Sequence, residues 1–262
     1  MTKISVVIIT FNEAASIERT LRSLDFCDEI VVVDSGSVDD TVSICRKNGC
    51  KTHFRKFDGY GPQKRFAVEL AVNDWVLALD ADEVVTPELR KELSALFSGK
   101  NPEVQGFYLP ISLVFLGRVI RFGGEFKKPH LRLFNKKLGN FNDNAVHEGV
   151  KLSGATEVCK NHILHYSYRS IHHYFEKFNA YTTASAQTLF EKKRNTAVFH
   201  SVVRFPLTFI KIYFIKGCVL DGFAGFVWSL FSSMYPVVKF IKLYELLQRD
   251  KETPRRSVPK EL

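Results

Sequence analysis

In the stretch WVLALDADEV an apolar run from Trp75 ends in three acids within four residues, Asp80, Asp82 and Glu83. Carboxylates so close together suit a hard divalent cation, because Mg²⁺ and Mn²⁺ take oxygen ligands and commonly bind one or two carboxylates plus substrate phosphates. Alternate residues of an extended segment share a side, so Asp80 and Asp82 are expected to face one site while Glu83 faces away. A cation held by that pair would bridge a diphosphate. The competing reading, acids that cap the next helix or are merely solvated, fits Asp80 poorly, since it ends a buried run where an unpaired carboxylate is costly.

The elements that must position these acids follow from the apolar pattern. Ile4 to Ile9 is a β-branched run, Ala14 to Leu24 has Ile17, Leu21 and Leu24 at helical spacing, and Ile30 to Val33 is a second strand. A helix from about Asp39 to Lys47 stops at Asn48-Gly49, and a short strand lies near Lys51 to Phe54. A helix follows Pro62, Trp75 to Leu79 is a fourth strand, and Thr86 caps a helix that has Pro87 at its first position and ends near Gly99. Alternating strands and helices predict a parallel α/β sheet, whose ligands lie beyond the carboxyl ends of the strands. Three strands end in polar residues there: Thr10, Asn12 and Glu13 after the first, Asp34 after the second, Asp80 and Asp82 after the fourth.

Beyond residue 100 the pattern changes. Short strands are expected at Gly106 to Pro110, Val119 to Phe122 and Leu131 to Phe134, and the chain turns helical from Ile171. Residues 198–247 mix aromatic and β-branched residues with Lys211, Lys216, Lys239 and Lys242. Their best apolar window, Gly222 to Val238, contains serines and a proline and sits at the lower limit for a membrane span. Two readings stand for this region: helices lying in a membrane interface, or a helical subdomain packed on the core. The tail after residue 250 is polar and expected to be disordered.

With 45% hydrophobic and 25% charged residues the 262-residue chain is globular, and its net charge of +9 is uneven. Residues 1–97 carry 12 basic and 16 acidic side chains, whereas residues 98–197 carry 15 and 7. The basic later part points to an anionic partner, a phosphorylated substrate or a membrane surface; no nucleic-acid-binding pattern accompanies it. Five cysteines without a C-x-x-C pair suit a reducing, cytoplasmic setting, and the N-terminal apolar run reads as a strand rather than a signal peptide. His162, His165, His172 and His173 lack the Cys or carboxylate partners of a zinc site at the usual intervals. Tyr174, Lys177, Phe178 and Tyr181 fall on one helical face, read as core packing or as acceptor binding. No G-x-G-x-x-G or P-loop is present, which removes dinucleotide oxidoreductases and NTPases.

The segments VVIITFNEAASIERTLRSL, EIVVVDSGSVDDT and WVLALDADE, in this order, resemble the donor half of family 2 glycosyltransferases with the GT-A fold. GYGPQKRFA, RLF at Arg132 to Phe134, VHEG at Val146 to Gly149 and LDGFAGFVWSLF are similar to the bacterial lipopolysaccharide-core β-1,4-glucosyltransferases. The resemblance implies a UDP-sugar donor and Mg²⁺ or Mn²⁺ as cofactor. It places Thr10, Asn12 and Glu13 against the nucleoside, Asp34 on uracil or ribose, Asp80 and Asp82 on ribose and metal, and Arg132 on the nucleotide-sugar. Lys64 and Arg65, at a helix start, answer phosphate charge or are solvated surface. It also puts Glu148 on the acceptor side as base, with His147 positioning it or touching the donor; a structural ion pair is the alternative for Glu148. With one base and no second nucleophilic carboxylate, direct displacement with inversion is the simpler mechanism.

The sequence therefore predicts an α/β GT-A nucleotide-sugar-binding fold, a mostly parallel sheet flanked by helices, with a C-terminal helical, membrane-associating extension. Its expected parts are residues 1–100 for the donor, 101–170 for the acceptor side, 171–250 helical and basic, and 251–262 as tail. The expected activity is transfer of a hexose, glucose favoured, to a lipopolysaccharide inner core or other lipid-linked glycan at the cytoplasmic face of the inner membrane, with peripheral membrane contact and no nucleic-acid partner. Transfer to a polyprenyl phosphate and a nonenzymatic membrane-bound scaffold are the alternatives.

Overall fold

A computed structural model describes residues 3–99, 102–142, 149–192 and 198–252. The expected alternation is present as β1 (Ile4–Thr10), α1 (Ala14–Arg22), β2 (Glu29–Asp34), α2 (Thr41–Lys47), β3 (Lys51–Phe54), α3 (Tyr60–Leu70), β4 (Trp75–Asp80), β5 (Glu83–Val85) and α4 (Pro87–Leu96). A strand-rich stretch follows, with β6 (Gly106–Phe115), β7 (Arg118–Val119), β8 (Lys128–Asn135), β9 (Gly139–Phe141), β10 (Val150–Leu152), β11 (Thr156–Val158) and β12 (Ile163–His165). The rest is helical: α5 (Ile171–Glu191), α6 (Val198–Ile210), a π-helical turn Lys211–Ile215, a 3₁₀ turn Cys218–Asp221 and α7 (Gly222–Glu252). The chain forms two compact units, residues 1–114 with 125–167 and residues 115–124 with 168–262. The helical unit thus takes in a short segment, 115–124, that chain order alone assigns to the sheet. The tail expected to be disordered lies outside the described residues from 253 onward.

In the first unit the strand order is β3-β2-β1-β4-β8-β6-β12-β5, with β11 also beside β6. β3, β2, β1 and β4 are parallel, as the alternation predicts. β8 then runs antiparallel to β4 and β6, and β12 lies parallel to β6 but antiparallel to β5, so the sheet is mixed. Side chains of alternate strand residues go to opposite faces. Ile4, Val6 and Ile8 of β1 join Ile17 and Leu21 of α1 and Leu89 and Leu93 of α4 in one core, while Val7, Val31 and Val76 pack with Ala67 and Val68 of α3 in the other. Burial on both faces is why these strands read as continuous apolar runs.

Register brings the polar strand ends to one level. Thr10 stands opposite Asp34, and Ile9 opposite Asp80. The order 3-2-1-4 puts the switch of direction between β1 and β4, where open α/β sheets bind ligands. β4 and β5 are separated only by Ala81 and Asp82, yet β5 pairs with β12 at the far end of the sheet order. The acid-bearing turn is thus where the chain leaves one part of the sheet for another.

Capping fixes the helix that follows. The Thr86 hydroxyl accepts from Leu89 N at 3.2 Å and donates to the His162 carbonyl at 2.8 Å, tying α4 to the segment before β12. Thr86→Val keeps the shape and removes both bonds, so we expect a loss of about 1–2 kcal/mol in urea unfolding.

In the second unit α5 packs on α7 through rings, with Tyr174–Phe231 centroids 5.0 Å apart and Phe178–Tyr235 at 5.7 Å. Of the expected aromatic face, Tyr174 and Phe178 are buried and Tyr181 is exposed. α7 is one helix across Pro236. The helical segment Cys218–Lys251 is long and apolar enough, by length and composition, to cross a membrane, and its most apolar 18-residue stretch has mean hydropathy 1.2. Ser229 and Ser233 do not oppose that apolar character, because their buried hydroxyls donate to the carbonyls of Gly225 and Ser229 one turn back.

Candidate functional site

The acid turn is held from both sides by its backbone. Thr20 of α1 donates to the Ala81 carbonyl at 2.9 Å, and Tyr166 N donates to the Asp82 carbonyl at 2.9 Å. Ala81 and Asp82 form a turn rather than extended chain, so the period-2 argument for their side chains does not apply. Glu83, expected to face away, is instead fully buried, accepting from Asp80 N at 2.9 Å and from Arg132 Nη2 at 2.6 Å.

Asp80 and Asp82 have different partners. Lys64 Nζ lies 2.9 Å from Asp80 Oδ1 and Arg132 Nη2 lies 2.9 Å from Asp80 Oδ2, so both carboxylate oxygens face a cation. The expectation that Asp80 shares a metal with Asp82 meets this competition directly. Asp82 pairs with His165, whose Nε2 is 3.2 Å from Oδ1. His165 was set aside on spacing because nothing near it in sequence could join it in a metal site. It reaches the turn because β12 places it opposite Glu83 in the ladder.

The charges settle these groups differently. Burial alone would raise the Asp80 carboxyl, but Arg132 and Lys64 overturn that and hold it far below the usual carboxylate range. For Glu83 burial prevails over Arg132, helped by the Asp80 charge, and its carboxyl is raised. Burial would lower His165, yet its hydrogen bond and charge interaction with Asp82, with Glu83 and Asp80 behind it, raise it. The cluster therefore presents Lys64 and Arg132 beside the Asp82–His165 pair, a donor set of oxygen and nitrogen. Among the described residues no three His, Cys, Asp or Glu side chains converge on one point.

The remaining expected residues sit at the neighbouring strand ends. Thr10 is buried, and its hydroxyl has no hydrogen-bond partner among the described residues. Asn12 adopts φ 55°, a left-handed conformation that asparagine tolerates, and accepts from Val38 N at 2.9 Å. Glu13 N donates to Thr41 Oγ1 at 2.8 Å and Ala14 N to Asp39 at 3.1 Å, so the start of α1 is capped by the loop after β2. Asp34 organises that loop, accepting from Gly36 N and Ser37 N at 2.8 Å each and from the Ser37 hydroxyl. Lys64 is buried against Asp80 rather than solvated, while Arg65 donates to the Phe141 carbonyl at 2.8 Å. His147 and Glu148 lie outside the described residues.

Besides Thr10 Oγ1, two more buried polar atoms are without a hydrogen-bond partner among the described residues, Gln63 Oε1 in the first turn of α3 and Arg132 Nε. Native interiors leave few such groups, and these three belong to the elements that carry the cluster or border it. Gln63 also donates to Ser35 beyond β2, at 3.1 Å, and was not singled out in the sequence because a lone glutamine carries no spacing signal.

Residues 5–149 match the model of the family described as glycosyl transferase family 2. The chain is 35% identical to an uncharacterized glycosyltransferase of Rickettsia felis, over 98% of this chain and 95% of that one. It is 26% identical to the lipopolysaccharide core biosynthesis glycosyltransferase LpsC of Rhizobium meliloti, over 92% of each. Among solved structures, residues 1–349 of S. aureus TarS align with a TM-score of 0.46 at 15% identity, covering 99% of this chain and 95% of that one. That likeness is loose, and it is the sequence matches that speak for a family.

Proposed function

As the chain belongs to glycosyltransferase family 2 and is a glycosyltransferase of GT-A-like fold, we propose that it transfers a sugar, glucose favoured, from a UDP-sugar to a lipopolysaccharide inner-core or related lipid-linked acceptor. The observation that carries the donor half is the pairing of Asp82 with His165 beside Lys64 and Arg132 at the end of β4. The acceptor class follows the name of the Rhizobium relative.

The residues fit Mg²⁺ or Mn²⁺. Asp82 and His165 would hold the ion with one oxygen and one nitrogen, leaving other positions to diphosphate oxygens and water, and the imidazole suits Mn²⁺ the better. When bound, such an ion neutralises charge on a departing diphosphate. Lys64 and Arg132 supply fixed positive charge toward the same group, and Asp80 keeps both cations in place rather than ligating. Thr10, Asn12, Glu13 and Asp34 border the nucleoside, with the partnerless Thr10 hydroxyl and Gln63 carbonyl oxygen as groups a ligand would satisfy. Glu148 is the base that takes the acceptor proton, positioned by His147, and the sugar is transferred with inversion. The chain works at the cytoplasmic face of the inner membrane, attached peripherally.

The test is a panel of UDP-sugars with Mn²⁺ or Mg²⁺ and purified truncated lipopolysaccharide. The expected result is UDP release with one sugar and a β-linked product by NMR. An α linkage would overturn inversion, and acid-labile product extracting with polyprenyl phosphate would overturn the acceptor. No UDP release from any donor would overturn the reading as a whole.

A further inference from the structure

Large apolar side chains on a surface helix normally face inward. In the second unit they also face out. Val203, Leu207, Ile210 and Phe214 recur at helical spacing through α6 and the π turn, and all are exposed. The chain then bends, and Ile215, Leu220 and Phe223 are 77%, 71% and 74% exposed within nine residues. The inward side is apolar as well, with Phe209 and Tyr213 packed on Phe226 at 5.8 and 5.7 Å. Isolated exposed apolar residues are ordinary, but a run of seven along one helix and its elbow is not.

The elbow is built to keep its shape. Asp221 is buried and accepts from Arg121 N and Phe122 N at about 3 Å. Gly217 and Gly222 take φ 74° and 64°, and a Cβ on Gly225 would run into the Cys218 carbonyl oxygen, so the 3₁₀ turn and the first turn of α7 are in close contact. Its charge has one sign. Residues 198–244 hold Arg204, Lys211, Lys216, Lys239 and Lys242 against a single acid, Asp221, which is turned inward. Arg118 adds its guanidinium beside Gly222, 3.0 Å from where a Cβ would stand.

We propose that this elbow is a bilayer-docking surface, with Phe214, Ile215, Leu220 and Phe223 entering the acyl boundary and Arg118, Arg204, Lys211 and Lys216 meeting anionic headgroups. The inference deepens the peripheral attachment proposed above and rests on it. Charge selects lipid over a second copy of the chain, since an isologous contact would set these cations against one another. The pairing of α7 with α5 favours lying on the membrane over spanning it: polar bonds join them, Tyr235 to Ser185 at 2.8 Å and Lys242 to Asn179 Oδ1 at 2.6 Å.

The test is flotation of the full chain with phosphatidylethanolamine vesicles, with and without phosphatidylglycerol. Wild type should float with the anionic vesicles, and less so in high salt. The combined variant Ile215→Ser, Leu220→Ser, Phe223→Ser should bind at least about tenfold more weakly, because each removes exposed apolar area without leaving a cavity. Its thermal unfolding and its UDP release from a UDP-sugar should be unchanged. Equal flotation of the variant, resistance of wild type to carbonate extraction, or a dimer that the variant dissolves without vesicle binding would each overturn the proposal. Loss of UDP release by wild type would overturn the donor reading instead, leaving the flotation result to stand by itself.

Discussion

Asp82→Ala should lower sugar transfer by at least about a hundredfold, the scale seen when a group that answers developing charge is removed from an active site. Its stability should change little. Its partner His165 is 28% exposed and remains wettable when the carboxylate is gone. The informative readout is the divalent-ion titration. If Asp82 and His165 hold the ion, Asp82→Ala and His165→Ala should each shift the Mn²⁺ concentration for half-activity upward, and chelation should silence wild type. Asp80→Asn should disturb the site by loosening Lys64 and Arg132, with a smaller shift in the Mn²⁺ requirement. Full activity of Asp82→Ala would refute the central assignment.

Arg132→Met should be the most destabilising of the single changes considered, by about 3–5 kcal/mol at neutral pH, because it strips the partner from one fully buried carboxylate and one partly buried one. Lys64 still compensates Asp80, so the larger share falls on Glu83. The pH dependence has a definite sign. Below about 4.3, the ordinary glutamate value, Glu83 carries its proton in both the folded and the unfolded chain, so Arg132 answers only the Asp80 charge, which Lys64 shares. As pH rises, the unfolded chain releases its protons while the folded variant must either keep Glu83 neutral or bury its charge, so the deficit against wild type grows. Urea unfolding at mildly acidic and neutral pH checks this, and adding Glu83→Gln to Arg132→Met should recover part of the loss. A variant as stable as wild type at neutral pH would show that the ion pair is not formed.

The parallel half of the sheet was legible because its strands are buried on both faces, so Ile4–Thr10, Glu29–Asp34 and Trp75–Asp80 stand out as apolar runs with polar ends. The polar strand ends that make up the candidate site were legible for the same reason. What escaped was everything set by distant pairing. Arg132 was tied to the donor only by resemblance, and its hold on Asp80 and Glu83 comes from β8 lying against β4. His165 depends on a ladder between β12 and β5 that no local spacing announces. Glu83 was assigned to the wrong side because a two-residue turn interrupts the alternation. Two prolines sit inside elements: β6, expected to end at Pro110, runs on through it opposite Pro129, and α7 continues through Pro236. In each, the tertiary setting tolerates a missing N–H that local rules treat as a break.

The crossing of the chain at Ala81–Asp82 also has a consequence in time. The acids are translated with the first parallel strands, but β8 and β12, which bring Arg132 and His165, come later in the chain. At ribosomal rates of about 5–20 residues per second, Glu83 waits roughly 2–10 seconds for Arg132, whereas Asp80 follows its other partner, Lys64, out of the ribosome. A nascent chain halted near residue 100 can gather its apolar strands yet must keep that carboxylate edge wet. Closure of that edge is expected to follow β12 out of the ribosome, and a protease-sensitivity series on stalled nascent chains should show protection there only once His165 has emerged.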